Sequence, residues 1–398
     1  MKHTTIPNTL ADISPLSRDR FTWLAYIMLA YYAYMQSMLG PLVPFLRAEL
    51  DLNYTIAGLH LSAFAVGMII AGLISDQLAH RWGRKIVYWG GASGMGAGAL
   101  VLVLARQPLF TIGGVLIMGF VGSFVMVMVQ AMLSDRHGIH RATALTEANI
   151  AAAVSSMMAP LAVGAFVQVG LGWRWAPILG SAIALALALR FGRDPVPESS
   201  ESETPSAPPP SRFLPGRFWM YWLVLVSVVA SEWCMIFWGG DFLENAVGLP
   251  RTLAATLLTV FWVAYVGGRL GGSRLTRFIR ADRLLILAFG VSMIGFPLFW
   301  LGGAPWVNVL GLFVIGLGMS NLFPLAMAAA VGSASERANT ASARISLGAG
   351  LAILIVPLVL GRFADHVGIF NAYGLVAVLL VIGVTMAVLA NRIGSRPV

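Results

Sequence analysis

The chain has 398 residues, of which 58% are hydrophobic and only 11% charged. Soluble domains carry about 25% charged residues, so too little polar surface is available here to cover a globule in water, and lipid is the expected solvent. The excess of 26 Lys and Arg over 17 Asp and Glu would suggest nucleic acid in a soluble protein, but these charges lie between long apolar runs and bear on topology instead.

About twenty polar residues precede an apolar stretch that begins at Phe21 and reads as a retained span, not a cleaved leader. A spanning helix needs roughly 20 apolar residues. By that measure spans are expected at 21–45, 55–75, 86–105, 109–134, 145–169, 175–192, 218–240, 253–275, 284–302, 306–332, 341–361 and 371–391. Between the sixth and seventh, Pro195, Pro197, Pro205 and Pro208 to Pro210 are interspersed with Ser and Glu and show no apolar periodicity. Such a segment cannot bury enough surface to fold, and reads as a linker. The expected organisation is an N-terminal segment 1–20, a six-helix bundle 21–192, a linker 193–217, a second bundle 218–391 and a tail 392–398.

Twelve spans return both ends of the chain to one side. Twenty basic residues fall on that side and five on the other, with Arg269 inside a span. The positive-inside rule therefore places both termini in the cytoplasm, and the expected location is the plasma (inner) membrane. The two halves also match at a constant offset of 197 residues, which pairs Phe64 with Phe261, Pro108 with Pro305, Gly119 with Gly316, Ser123 with Ser320, and Pro160 with Pro357. A repeat of this period implies two homologous bundles.

These features resemble the major facilitator superfamily of secondary transporters. Gly40-Pro-Leu-Val-Pro-Phe-Leu46 looks like the end of that family's first helix. Gly72 and Asp76, followed by Gly83, Arg84 and Lys85, are similar to its signature loop between helices two and three. Here Gly83 follows Asp76 by seven positions where the family usually has three, so roughly one helical turn is inserted. Ala159-Pro160 and Val163-Gly164 resemble a fragment of the family's antiporter pattern, with Thr146 and Ser155 standing where that pattern has glycine. The seventh span, around Glu232, is similar to the glutamate-containing helix of fucose-related sugar permeases. The resemblance implies an all-α membrane fold of twelve helices in two pseudo-symmetric six-helix bundles, working by alternating access.

Glu232 lies about 21 Å along the seventh span from Phe218, at 1.5 Å per residue. An acidic group at that depth must face a partner, the bundle interior or water, which makes it the candidate for proton coupling or for binding substrate. Glu147 and Arg344 occupy equivalent places in the two halves with opposite charge. The family's helix adjacency would bring Asp76 to Arg344, and Glu147 to Arg269 or Arg274, as a cytoplasmic gate. Substrate contacts are expected among Tyr31, Tyr34, Gln36, Gln130, Asn149, Trp238, Trp262, Tyr265 and Asn321, because midplane sites between repeats combine hydrogen-bonding groups with aromatic walls.

Gly94-Met-Gly96-Ala-Gly98 superficially fits a dinucleotide fingerprint, but it lies within a span, where Gly90, Gly94 and Gly98 suit close helix packing. His137 and His140 lack further ligands at metal-binding spacing, and His60 reads as interfacial. With no P-loop or nucleophile and base, the expectation is a non-enzyme without cofactor, metal or nucleic-acid partner. It would be a monomer in the bilayer that moves a small polar organic solute, sugar-like or another metabolite, with protons. Drug or lipid-like efflux by proton antiport is the alternative within transport, and a non-transporting receptor on the same fold is the alternative outside it.

Overall fold

The computed structural model describes residues 16–198 and 214–394. Most of the expected N-terminal segment, the centre of the linker and the last four residues of the tail lie outside the described residues.

The described chain is built of helices. The first span is broken into α1 (Arg20–Ser37) and α2 (Leu39–Leu50). Pro41 has no N–H to offer the Ser37 carbonyl, and Pro44 repeats the defect one turn on, so the helix is interrupted at Met38. Then follow α3 (Tyr54–Trp82), α4 (Arg84–Leu104), α5 (Pro108–His137), α6 (Arg141–Gln168) and α7 (Trp175–Phe191). After the linker come α8 (Gly216–Asn245), α9 (Arg251–Leu275), α10 (Ala281–Leu301), α11 (Pro305–Gly332), α12 (Ala338–Ala372) and α13 (Gly374–Gly394).

Nine helical stretches among the described residues are long and apolar enough to cross a membrane. One of these, Pro108–Gln168, is α5 and α6 joined by a short turn; α7 is a shorter apolar helix, and α1 with α2 forms the first crossing. Counted this way there are twelve crossings among the described residues, and the start of α1 and the end of α13 lie at one face, here called the near face.

Local chemistry explains the helix ends. Asp19 accepts a hydrogen bond from the Thr22 N–H at 2.8 Å to cap α1, and Asn53 accepts one from Ile56 at 2.8 Å to cap α3. Pro108 and Pro305 stand in the first turns of α5 and α11, where a missing N–H costs nothing, so of the two repeat-related proline pairs it is Pro160 and Pro357 that lie inside helices. Gly83 takes φ +83°, which turns the chain from α3 into α4. The residues inserted after Asp76 simply prolong α3 to Trp82. The eleventh span is longer than expected, because α12 continues to Ala372 across a kink at Gly368.

The repeat is visible in three dimensions. α4 and α10 begin and end 197 positions apart, as do the 3-10 turns Gly138–His140 and Ser335–Arg337. A Cβ on Gly119 would strike the Phe64 backbone, and one on Gly316 the Phe261 backbone, so the same glycine–phenylalanine contact recurs in each bundle. On α4 the close-packed face is Gly91, Gly94 and Gly98, against α5; Gly90, expected on that face, meets nothing within 4 Å.

Across the halves, α3 packs on α12 and α6 on α9, while α2 leans on α8. A Cβ on Gly40 would run into the Ile236 carbonyl, so the break after α1 lets two backbones touch.

Candidate functional site

Glu232 sits near the middle of α8, where the helix faces α9 and α11. Its carboxyl interacts with the Tyr265 hydroxyl and the Arg269 guanidinium, both from α9. Tyr265 and Arg269 are one turn apart on the same helix face. Arg269 donates through Nη2 to the Tyr265 oxygen at 2.9 Å and through Nε to the Ser320 carbonyl of α11 at 3.2 Å. Asn321 closes the cluster, donating to the Gly268 carbonyl at 2.7 Å and to Ser320 Oγ at 2.9 Å. Trp262 lies on the same face of α9, its ring 5.5 Å from that of Tyr265. Four residues expected from the sequence to serve substrate or proton are thus brought together with Arg269, which was expected at the gate.

The other substrate candidates are placed differently. Tyr31 donates to the Ala92 carbonyl at 3.1 Å and Tyr34 to the Ala176 carbonyl at 3.0 Å, so both hydroxyls tie α1 to neighbours in its own bundle. Trp238 is fully buried and donates to the Pro357 carbonyl at 2.8 Å. The Asn149 amide bonds back to the Leu145 carbonyl of its own helix, and both Asn149 and Gln130 are exposed. Gln36 is half-buried beside the break at Met38. His60 is buried within the bundle, with Nε2 2.9 Å from the Thr111 hydroxyl. Among the described residues no group of side chains could hold a metal ion.

At the near face, Glu147 is held by Arg18, with contacts of 2.8 and 2.6 Å, and accepts from the Tyr26 hydroxyl at 3.0 Å. It is not joined to Arg269 or Arg274, and Asp76 and Arg344 are both exposed and unpaired with each other among the described residues. The near-face pairs Arg18–Glu147, Arg20–Asp194, Arg84–Asp135 and Arg280–Asp282 each stay within one half. In the signature loop, Lys85 donates to the Arg193 carbonyl at 3.2 Å.

The opposite, far face is where the halves are ionically joined. Arg47, at the end of α2, contacts both oxygens of the fully buried Asp241 of α8 at 2.8 and 2.6 Å and lies 3.5 Å from the centre of the Tyr54 ring. Asp365 of α12 accepts from the first N–H groups of α3, Tyr54 at 2.7 Å and Thr55 at 2.9 Å, and from the Thr55 hydroxyl. A carboxylate from one half therefore caps a helix of the other, where the helix dipole favours negative charge. Deeper in, Ser62 donates to the Leu354 carbonyl at 2.7 Å. The sequence reading missed Arg47, Asp241 and Asp365 as working residues. Charges at span ends are commonplace, and only the 197-residue pairing of bundles would have turned attention to a second gate.

Residues 25–343 match the family model of the Major Facilitator Superfamily. The chain belongs to that superfamily. It is 25% identical to an uncharacterized MFS-type transporter of Yersinia pestis, over 86% of this chain and 88% of that one. It is 26% identical to the multidrug resistance protein MdtL of Escherichia coli, over 84% of this chain and 88% of the relative. Among solved structures, the nucleoside transporter NupG superposes with a TM-score of 0.73 at 14% identity, covering 95% of this chain and all of NupG. A D-xylose-proton symporter superposes with a TM-score of 0.73 at 13% identity, covering 93% and 96% of the two chains. This MFS transporter is thus a multi-pass membrane protein of the superfamily's fold.

Proposed function

We propose that the protein moves a small polar organic solute across the plasma membrane by alternating access, coupled to protons, as a monomer with both termini in the cytoplasm. Residues 21–192 and 218–391 act as the two rocking bodies, and 193–217 tethers them. The observation that carries this reading is the Glu232–Tyr265–Arg269 cluster within the membrane, since ionisable groups at that depth mark substrate and ion pathways. The near face is then cytoplasmic, and the Arg47–Asp241 ion pair and the Asp365 cap, which join the halves at the far face, correspond to an inward-facing state. Asp76 with Arg344, and Glu147 with Arg274, are the pairs that would form when the near face closes, with Glu147 exchanging Arg18 for a partner across the halves. Such exchange gives the two states a differential interaction, which a switch requires.

The multidrug relative and the nucleoside and xylose structures leave three substrate chemistries open. The charged cluster favours a polar solute over an apolar drug, because an apolar ligand would leave these buried groups without compensation. The test is flux in proteoliposomes with and without an imposed pH gradient. Glu232→Gln is expected to abolish gradient-driven accumulation while preserving exchange across the membrane. Accumulation and pH dependence unchanged in that variant overturn Glu232 as the coupling group.

A further inference from the structure

Among the described residues Arg269 is a cation without a full complement of hydrogen-bond partners. Its guanidinium has five N–H donors, of which the structure uses one to Ser320 and one to Tyr265. Glu232 interacts with both Arg269 and Tyr265, but Glu232 and Arg269 form no direct ion pair among the described residues. The planar fork that suits a carboxylate bidentately is therefore left with free donors. Trp262, two turns towards the far face on the same side of α9, lies about 10 Å along the helix at 1.5 Å per residue, its ring against that of Tyr265. Tyr265 and Arg269 are the only titratable or charged groups interacting with Glu232 among the described residues. The helices α2, α11, α12 and α13, which also pack on α8, contribute none.

We infer that the substrate is an organic anion, whose carboxylate binds Arg269 when Glu232 is protonated and whose apolar part lies against Trp262. This rests on Glu232 as the coupling carboxylate. The charge balance is simple. With Glu232 ionised, the cluster holds one cation and one anion. A proton entering from solution onto the Glu232 carboxylate removes that anion, and the arriving substrate carboxylate replaces it. An uncompensated cation at this depth is costly, so each event favours the other, and proton and anion travel together as a neutral pair.

The experiment uses the full-length purified protein and matched acid and amide probes, benzoate with benzamide and phenylacetate with phenylacetamide. Thermal stabilisation is read at about pH 5.5 and about pH 7.5, where such carboxylates, titrating near 4, are ionised throughout. The wild type is expected to bind the acids in preference to the amides, and roughly tenfold more tightly at the lower pH. Glu232→Gln is expected to bind the acids tightly at both values, the pH dependence being lost. Arg269→Gln is expected to lose the preference for acid over amide, while Arg269→Lys retains it at lower affinity, which separates loss of charge from loss of fold. No stabilisation by the acids, or equal binding of acid and amide by the wild type, overturns the inference. Retained accumulation in Glu232→Gln with acid preference intact overturns the coupling role alone, so the two failures are distinct.

Discussion

Glu49 shows at single-residue scale how charge is used outside the bilayer. Arg174 hydrogen-bonds its carboxyl and, with burial opposing, holds it below the ordinary carboxylate range; Trp173 and Arg106 add contacts at 3.2 and 2.9 Å. The carboxylate staples the end of α2 to the α4–α5 and α6–α7 loops. A depressed folded-state value means that this stabilisation is fully present above the unfolded carboxylate value near 4.3, and fades as the pH falls through the lower folded value. Glu49→Gln is accordingly expected to lower the melting temperature at neutral pH and to leave wild type and variant converging on strong acidification, as followed by a thermal melt in detergent. A constant difference down to the acid limit would contradict it. Single residues were partly legible in the sequence. Glu232 announced itself by depth and Arg269 by lying inside a span. That the two share Tyr265 depends on how α8 meets α9, which no local spacing encodes. Tyr31, Tyr34 and Trp238 had the right chemistry for a substrate site, but their polar atoms are spent on backbone carbonyls of packed helices, and one-dimensional reading cannot tell these uses apart.

Among elements, the N-terminus of α3 is the most consequential. Its first N–H groups lack intrahelical partners, and Asp365 from α12 satisfies two of them. Removing that charge withdraws a helix-dipole interaction of about 1–2 kcal/mol in a partly buried setting, a population change of roughly five- to thirtyfold. Because the contact joins the halves only while the far face is closed, Asp365→Asn is expected to enrich the state open at that face. Spin labels at Gln107 and Gly303, in far-face loops of opposite halves, report the change as a longer distance component. A distribution identical to that of the unsubstituted protein would remove Asp365 from the latch. Most helices were readable from apolar length alone, with limits correct to within a few residues. The exceptions have physical causes. Pro41 and Pro44 split the first span without interrupting its hydrophobicity, and Gly368 kinks α12 within a run that stays largely apolar. The near-face gate was sought through opposite charges at equivalent positions, but in this state Glu147 is held by Arg18 of its own half, and Asp76 and Arg344 are not paired with each other among the described residues. A sequence carries the residues of both states and does not mark which pairs are formed in either.

At the scale of the whole molecule, the 197-residue repeat decides both architecture and mechanism. Two copies of one bundle, each with the same glycine–phenylalanine contact at its centre, meet through equivalent helices, so any seal made at one face has a counterpart to be made at the other. Under the proposed alternating access, closing the second opens the first, because α3 with α12 and α6 with α9 pair the two halves. This can be tested with a covalent lock. The position of a Cβ on Gly58 falls 3.3 Å from the Leu358 Cα, across the halves at the far side, and disulfides span Cβ separations of about 3.5–4.5 Å. Cys234, the sole native cysteine, is fully buried and does not compete. Gly58→Cys combined with Leu358→Cys is expected to transport when reduced, to lose net flux when oxidised, and to regain it on addition of a reductant, with ligand binding from the near face retained throughout. Loss of binding together with flux would instead mean a distorted site, and flux continuing at full rate with the bond quantitatively formed would show that the halves need not part at the far face.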